Sequence, residues 1–599
     1  MRTELRFLLA IVLMVGVLVG TNLLFPPVPP EPPVGPGSDT AAVAGDTGAP
    51  EAGTAAGEAE GEEEREEPGR SAGAGPGTEE EAPELPDAVA EEEPEDLELP
   101  SPGEEAPGEE EEERRIVVES PLYRYTFSTR GARLVSAELL DFPSFTRDGP
   151  VQLIPEGSSA LGHRVVVGSD TVDLRELPFE ASPAEGLRLD SLSGAQVLSF
   201  VYRHPTGRFE LRLDYTFRPG GYLTTVRGEV GGIGRGTAWT DLGDGLAFNE
   251  HRREDDLQAL AYVGNHLQEG IQSENLREVE EEFRIWDGPF RWAAFKNKYF
   301  VFALLPGVGE VEEGVYLGGL VARNLEDEAR VALAATQSVG RDGVFGYRLF
   351  MGPQEFARLT ALGDDLEDVN PYGWRFFRPV IRPLVGIVMT ALTFLHDTLG
   401  WGYGWVLILF GVMMRVIFFP LHQKAMRAQL RNMAVQPLLK EIQTKYKDDP
   451  ERLQKEMMKL YKEHGFNPLA GCLPMLLPWP ILITLFFVFQ NTIELRGVPF
   501  LWLPDLSSPD PLYILPAILG ISMFGLQYVS YRSMDEPNPQ LKMMMWIMPA
   551  VMVFIFLNFA AGLNLYYATA NIATLPQQFW IANERKKHQK KKPVMQPAE

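Results

Sequence analysis

A single cysteine, Cys472, stands in 599 residues, so no intramolecular disulfide can form and no cysteine-based metal site can assemble. The chain also lacks a Walker A loop, a protein-kinase motif set, a zinc-binding pattern and a nucleophile elbow in plausible strand or helix context. Its long apolar runs contain no Asp or Glu. Without a buried carboxylate, a proton relay or ion-coupled carrier has little to build on. These absences make a non-enzymatic activity without cofactor or metal the expectation.

Aromatic residues are missing altogether from 26 to 113. That stretch holds 29 Asp and Glu against Arg65 and Arg70 only, and so supplies about −27 of the formal −29 charge. Built from Pro, Gly, Ala and Glu, it cannot bury enough apolar area to offset the entropy of ordering, and 26–115 reads as a disordered, self-repelling tether. An acidic partner-binding tail is the alternative. The low pI therefore describes the tether rather than the rest of the chain.

What is present falls into different polymers on either side of that tether. Before it, 1–25 opens with Arg2 and Arg6 and runs apolar from Phe7 to Phe25. At about 1.5 Å per residue this nearly matches a roughly 30 Å hydrocarbon core, and without a clear A-x-A site it reads as an uncleaved anchor with its N-terminus inside. After the tether, 116–353 alternates in short runs such as LYRYTFS (122–128) and RFELRLDYTF (208–217), punctuated by HPTG (204–207) and RPGG (218–221). Many short strands with turn signals predict a β-sandwich with a binding or scaffolding role.

From 371 the chain becomes apolar in blocks. Trp405–Leu421, Leu473–Phe489, Pro511–Val529, Met543–Leu557 and Leu563–Ile581 each approach the length of a membrane helix, making six spans with the N-terminal anchor. A shorter apolar stretch, Pro383–Leu395, is flanked by Arg375, Arg378 and Arg382 and by His396 and Asp397. If it lies along the interface as an amphipathic helix (371–399), all the basic segments fall on the cytoplasmic side; if it spans, those after it move outside. The interfacial assignment leaves both termini cytoplasmic and 26–400 outside.

The loop 422–470 carries ten Lys and Arg against six Asp and Glu. Leu430, Met433, Leu439, Ile442 and Tyr446 mark one helical stripe, and Leu453, Met457, Leu460 and Tyr461 another. Between them Asp449 can cap a helix whose first residue is Pro450, and Gly465 can end it. A basic helical hairpin beside a membrane suits contact with incoming polypeptide, headgroups or a ribosome.

One charge interrupts the second span: Arg415, in GVMMRVIFFP (411–420). It lies roughly 9 Å from the cytoplasmic end, so it can snorkel to the headgroups or face a hydrated cavity among the helices. In GLNLYYATANIATLPQQ (562–578), Asn564, Tyr567 and Asn571 share one helix face, and Gln578 extends it. Three polar residues on a stripe suggest a hydrated surface. Gly404 and Gly411 leave space beside the arginine.

WGYGWVLILFGVMMRVIFFPL, QPLLKEIQTKYKDDPERLQKEMMKLYKEHGFNPLAGCLPMLLPWPI, IELRGVPF, LSSPDPLYILP and GLNLYYATANIATLPQQ together resemble the YidC/Oxa family of membrane protein insertases over about 371–585. The region 116–353, including WAAFKNKYFVFALLP (292–306), is similar to the large periplasmic domain of its Gram-negative members. The resemblance implies an α-helical inner-membrane protein: a five-helix core (401–582, with the hairpin at 422–467) around a hydrophilic groove open to cytoplasm and lipid, a periplasmic β-sandwich, and a basic cytoplasmic tail (583–599). Arg415 would be the groove arginine, Tyr566 and Tyr567 the paired tyrosines along which a substrate helix slides, and Gly411, Leu482, Asn564 and Asn571 further lining. The implied partners are nascent membrane proteins, a Sec translocon, the ribosome through hairpin and tail, and the bilayer, with no sequence-specific nucleic acid. Two positions depart from the family: Gly411 where members often carry Thr, and Pro478 where they carry Gln.

The expected function is insertion and chaperoning of membrane proteins. The rivals are a small-solute channel or transporter, for which no internal repeat is evident, and an anchored periplasmic binding protein, which leaves five spans unexplained.

Overall fold

The structure, a computed structural model, describes residues 112–590 apart from 206, 208, 233–234, 308–314, 326–328, 371–376, 448, 464–478 and 533–538. The anchor at 1–25, nearly all of the acidic stretch, Gly465, Pro478, the start of the third apolar block and the last nine residues lie outside the described residues.

Alternation builds the first half of the fold. In the strand Tyr123–Ser128, Tyr123, Tyr125 and Phe127 point inward, and in Glu210–Phe217 so do Leu211, Leu213, Tyr215 and Phe217. The first strand lies in a five-stranded sheet, the second in a fourteen-stranded one, and their aromatic rows meet as the core of a β-sandwich. Tyr123 stacks on Tyr125 with centroids 4.2 Å apart, and Phe127 lies 5.1 Å from Tyr215 across the sheets. Buried phenols need acceptors. Tyr125 donates to the carbonyl of Met351 at 3.2 Å and Tyr123 to that of Arg218 at 3.1 Å, both in or beside the other sheet. The expected HPTG turn closes with the Gly207 N–H donating to His204 at 2.8 Å, and Gly207 at φ +71° takes the left-handed conformation that glycine supplies without penalty.

The helices are α1 (Arg253–Ala259) and α2 (Phe356–Leu362) with the sandwich, then α3 (Arg378–Leu399), α4 (Tyr403–Lys445), α5 (Pro450–Glu463), α6 (Trp479–Asn491), α7 (Ile514–Arg532), α8 (Pro539–Phe556) and α9 (Ala561–Lys590). One face of α3, formed by Ile381, Val385, Val388, Met389 and Leu392, is buried in the same core as α4 and α6, while Val380, Ile387 and Phe394 are exposed. Arg382 anchors its first turns to the chain below the sandwich, 2.6 Å from both Asp365 and Asp368. The second span and the first arm of the hairpin form one 43-residue helix, α4, through Pro420. Its return arm, α5, begins at Pro450 as expected, with Asp449 accepting the Arg452 N–H at 3.0 Å.

The six-span count is not what the described helices supply. Three are long and apolar enough to cross a membrane: α3, the Tyr403–Pro420 part of α4, and α7. Pro480–Asn491 and Lys542–Phe556 are shorter apolar helices. The anchor and the beginning of the Leu473–Phe489 block fall outside the described residues. Helix α9 is long, but its Asn, Thr and Gln residues and its charged end dilute the hydropathy that a span test reads.

Between α6 and α7 the loop 492–513 folds upon itself. Asp505 accepts the N–H groups of Gly497 and Ser507 and the hydroxyls of Ser507 and Ser508. Asp510 accepts Trp502 Nε1 and the N–H groups of Leu512 and Leu515. The loop then ties to α9: the N–H of Gly562 donates to Leu506 and that of Ala561 to Ser508, both at 2.8 Å.

Candidate functional site

Helices α4 and α9 pack along each other, and Arg415 projects from the first onto the second. Its Nε donates to the Ala570 carbonyl at 3.3 Å, an acceptor shared with the Thr574 hydroxyl at 2.6 Å. The arginine is partly exposed. One turn back along α9, Tyr566 is buried, its ring 6.0 Å from Phe410 and 5.4 Å from Phe489. Tyr567 turns the other way: its hydroxyl donates to the carbonyl of Leu482 on α6 at 3.1 Å, and its ring meets Phe556 edge-on at 5.5 Å. Asn571 reaches α7, its Nδ2 3.4 Å from the Ser522 hydroxyl. Arg415, Tyr567, Asn571 and the Leu482 carbonyl therefore come from or reach four helices around the middle of α9.

Burial along α9 is graded. Ala561–Tyr566 is buried without interruption, whereas Tyr567 and most residues from Thr569 to Gln578 are partly or fully exposed. The loop 492–513 closes the buried end; the polar, accessible half lies towards the hairpin side of α4. An arginine in such a position holds a positive charge where water thins out, and there the attraction to a passing carboxylate exceeds its value in bulk water.

Two expectations are corrected. Asn564 does not face the partly exposed stripe: it is fully buried, and its amide donates to the carbonyls of Phe556 at 3.1 Å and Phe559 at 3.4 Å. A helix leaves its last carbonyls without internal partners, and Asn564 serves the end of α8 in this way. The spacing of three and four put Asn564 on the right face, but the first turn of α9 is covered by α8 and the loop. The glycines, too, make room for side chains rather than water. A Cβ at Gly404 would stand 2.1 Å from the Phe500 ring, so the glycine is required there; at Gly411 it would meet Thr569 and Tyr566 at 3.4–3.5 Å, ordinary contact. Gly411 thus brings α4 close to α9 without being sterically obligatory.

Two polar residues give no signal in the sequence: Ser522, which joins the seam, and Arg496, which belongs to the fold. Ser522 is a small polar residue in an apolar helix, which alone signals nothing. Arg496, just after α6, is buried against the sandwich: Nε lies 2.8 Å from Glu250 and Nη2 donates to Pro143 at 2.9 Å, with the guanidinium 4.2 Å from the Phe145 ring. Glu250 is 246 positions away, and no local pattern announces the pair.

Among the described residues no group of three or more His, Cys, Asp or Glu is placed to hold a metal. A family model described as "60Kd inner membrane protein" matches residues 394–590, and one described as "YidC periplasmic domain" matches 115–385. Curated proteins named "Membrane protein insertase YidC" align over most of the chain: one from Chlorobium luteolum is 30% identical over 509 residues, covering 80% of this chain and 84% of that protein. Another, from Chlorobium phaeovibrioides, is 32% identical over 499 residues, covering 78% and 83%. A solved structure of an active YidC insertase with its first transmembrane domain resolved is 20% identical, covers 78% of this chain and 92% of that one, and superposes with a TM-score of 0.31.

Proposed function

The chain belongs to the YidC family of membrane protein insertases, and from that premise we propose that the seam between α4 and α9 is the groove through which it passes polypeptides into the inner membrane. The observation that carries this reading is Arg415 on the accessible half of the seam, beside the Ala570 carbonyl and one turn from Tyr567. A polar or acidic flank of a nascent chain enters from the hairpin side and meets a cation and hydrogen-bonding groups instead of hydrocarbon. Its apolar segment then leaves sideways into lipid. Burying that segment yields about 25 cal/mol per Å² of apolar surface, so the cycle runs without nucleotide, cofactor or metal, and the protein is not an enzyme.

In this reading the chain has six spans: 1–25, the apolar part of α4, the block containing α6, α7, α8 and the apolar part of α9. The helix α3 lies along the interface, the sandwich and the rest of 26–400 are periplasmic, and both termini are cytoplasmic. What supports this is charge: the basic hairpin, Arg532 with Lys542, and RKKHQKKK (585–592) then share a side with Arg2 and Arg6. The hairpin and tail receive ribosome-bound nascent chains, and the protein works alone or beside a Sec translocon.

Photocrosslinkers at Arg415, Tyr567 and Leu482 should capture a stalled nascent span more strongly than one at Phe554, which is 74% exposed on α8. Capture at Phe554 alone would rule out the seam as the path.

A further inference from the structure

The loop 492–513 inverts the usual division between inside and outside. None of its four charged residues is exposed: Arg496, Asp505 and Asp510 are buried, and Glu494, partly buried, accepts the Thr492 hydroxyl. What the loop does expose is Leu501 (71%), Leu512 (61%) and Tyr513, and beyond these only glycine and proline. Single exposed apolar residues are ordinary, but a set of them with every charge turned inward marks a contact surface.

The backbone holds those side chains out. Phe500 and Leu503 exchange both backbone hydrogen bonds at 2.9 Å, so Leu501 and Trp502 form the tip of a two-residue hairpin. Leu501 takes φ +55°, as does Tyr513 just before α7, a left-handed conformation that strains Leu and Tyr more than Gly or Asn. The hairpin is anchored on both sides. The Phe500 ring lies against Gly404 and 5.3 Å from the Trp405 ring at the start of α4. Trp502 Nε1 donates at 3.2 Å to Asp510, which also accepts the N–H groups of Leu512 and Leu515 at the start of α7.

The apolar surface continues onto the helices. Trp401 and Trp405 are exposed around the beginning of α4, and Ile514 and Ile521 along α7. Helix α7 has 19 residues, about 28 Å, which nearly equals a hydrocarbon core of roughly 30 Å. With Arg532 at one boundary, Ile514 stands at the other, so Leu512 and Tyr513 fall in the interfacial layer where Trp and Tyr concentrate. We propose that the loop 492–513 is seated in that layer of the periplasmic leaflet, with Leu501, Leu512 and Tyr513 against lipid rather than water. The choice of leaflet rests on the span directions proposed above; the contact with lipid rests on the loop itself. Because Ala561 and Gly562 hydrogen-bond to the same loop, this seat fixes the closed end of α9 at one leaflet while its polar half opens towards the other.

The test is electron paramagnetic resonance of the full-length protein in phospholipid vesicles, with a nitroxide on one cysteine at a time in a Cys472→Ser background. Leu501→Cys and Leu512→Cys report the loop, and because both side chains are exposed neither label displaces a packed one. Ile521→Cys, 72% exposed within α7, is the lipid reference, and Leu192→Cys, 96% exposed on the sandwich, is the water reference. Collisions with oxygen, which partitions into lipid, are compared with collisions with a water-soluble nickel chelate. The labels at Leu501 and Leu512 should match the one at Ile521, with a ratio of oxygen to nickel collisions several-fold above that at Leu192. Values matching Leu192 put the loop in water and overturn the proposal, while leaving the seam between α4 and α9 untouched as the substrate path. Weak collisions with both reagents mean that a protein surface, a second copy or another chain, covers the loop, and they overturn the lipid assignment. A label at Ile521 that reports water overturns the span and the seat of the loop together.

Discussion

Two arginines sit in apolar surroundings, and they are held in opposite ways. Arg496 has 1% of its side chain exposed, a carboxylate at 2.8 Å, backbone carbonyls of Pro143 and Asn249, and the faces of Phe145 and Phe300 at 4.2 and 5.3 Å. Its socket is itself pinned, since Asp256 Oδ2 accepts the N–H groups of both Asn249 and Glu250. Arg415 is partly exposed, and its Nε rests on a helix carbonyl at 3.3 Å. A guanidinium enclosed by a complementary socket is committed to the fold. One on a graded, half-open seam is less enclosed, which suits the groove role proposed for Arg415.

The largest expected effect falls on the enclosed arginine. Arg496→Met leaves Glu250 buried with its counter-charge gone, which costs about 3–5 kcal/mol and lowers the melting temperature by many degrees. Adding Glu250→Gln should restore much of that loss, as replacing both members of a buried pair is far milder than removing one. If Arg496→Met melts like the wild type, the contrast between the two arginines fails.

Asp256 gives the socket a pH signature. Burial, reinforced by the nearby Glu250 charge, pushes its carboxyl up to about 7 from an ordinary 3.8. The folded chain therefore binds this proton more tightly than the unfolded chain does. The stabilising contribution is fully present below the unfolded pKa and is lost as pH rises through about 7. Asp256→Asn should flatten the fall in stability between pH 5 and 8, an effect on the order of 2–4 kcal/mol, read from melting curves across that range. The two backbone donors keep an oxygen acceptor in the variant, so the socket survives.

Smaller effects distinguish two glycines of α4, Gly404 and Gly411. Gly404→Ala drives a methyl into the Phe500 ring and should cost about 1–3 kcal/mol. Gly411→Ala meets only ordinary contacts and should be neutral or gain up to about 1 kcal/mol from helix propensity. A comparable loss at both positions in thermal unfolding would mean that the α4–α9 seam is tighter than the geometry gives.

How much of this was legible depended on range. The strands at Tyr123–Ser128 and Glu210–Phe217 announced their inward faces because a period of two is local, and the Asp449–Pro450 start of α5 did so because a cap spans only a few residues. The face shared by Asn564, Tyr567 and Asn571 was equally visible, yet periodicity says nothing about what covers each turn; the end of α8 claimed Asn564. Composition divides the single helix α4 at the change from apolar to basic residues, although backbone hydrogen bonding continues past it. Arg496 and Glu250 were invisible as a pair, because a socket assembled from 143–145, 249–250 and 299–300 is a property of tertiary packing. Charge composition alone drew attention to Arg415, since a lone cation among apolar residues stands out in sequence.

The central claim is that the Arg415 charge serves the substrate rather than the fold, and insertion measured for matched variants tests it most directly. Arg415→Lys keeps the charge and should insert nearly as well as the wild type, whereas Arg415→Ala should fold, melt within a few degrees of the wild type, and lose insertion of at least some substrates with polar or acidic flanks. Normal insertion of every tested substrate by Arg415→Ala would contradict the account.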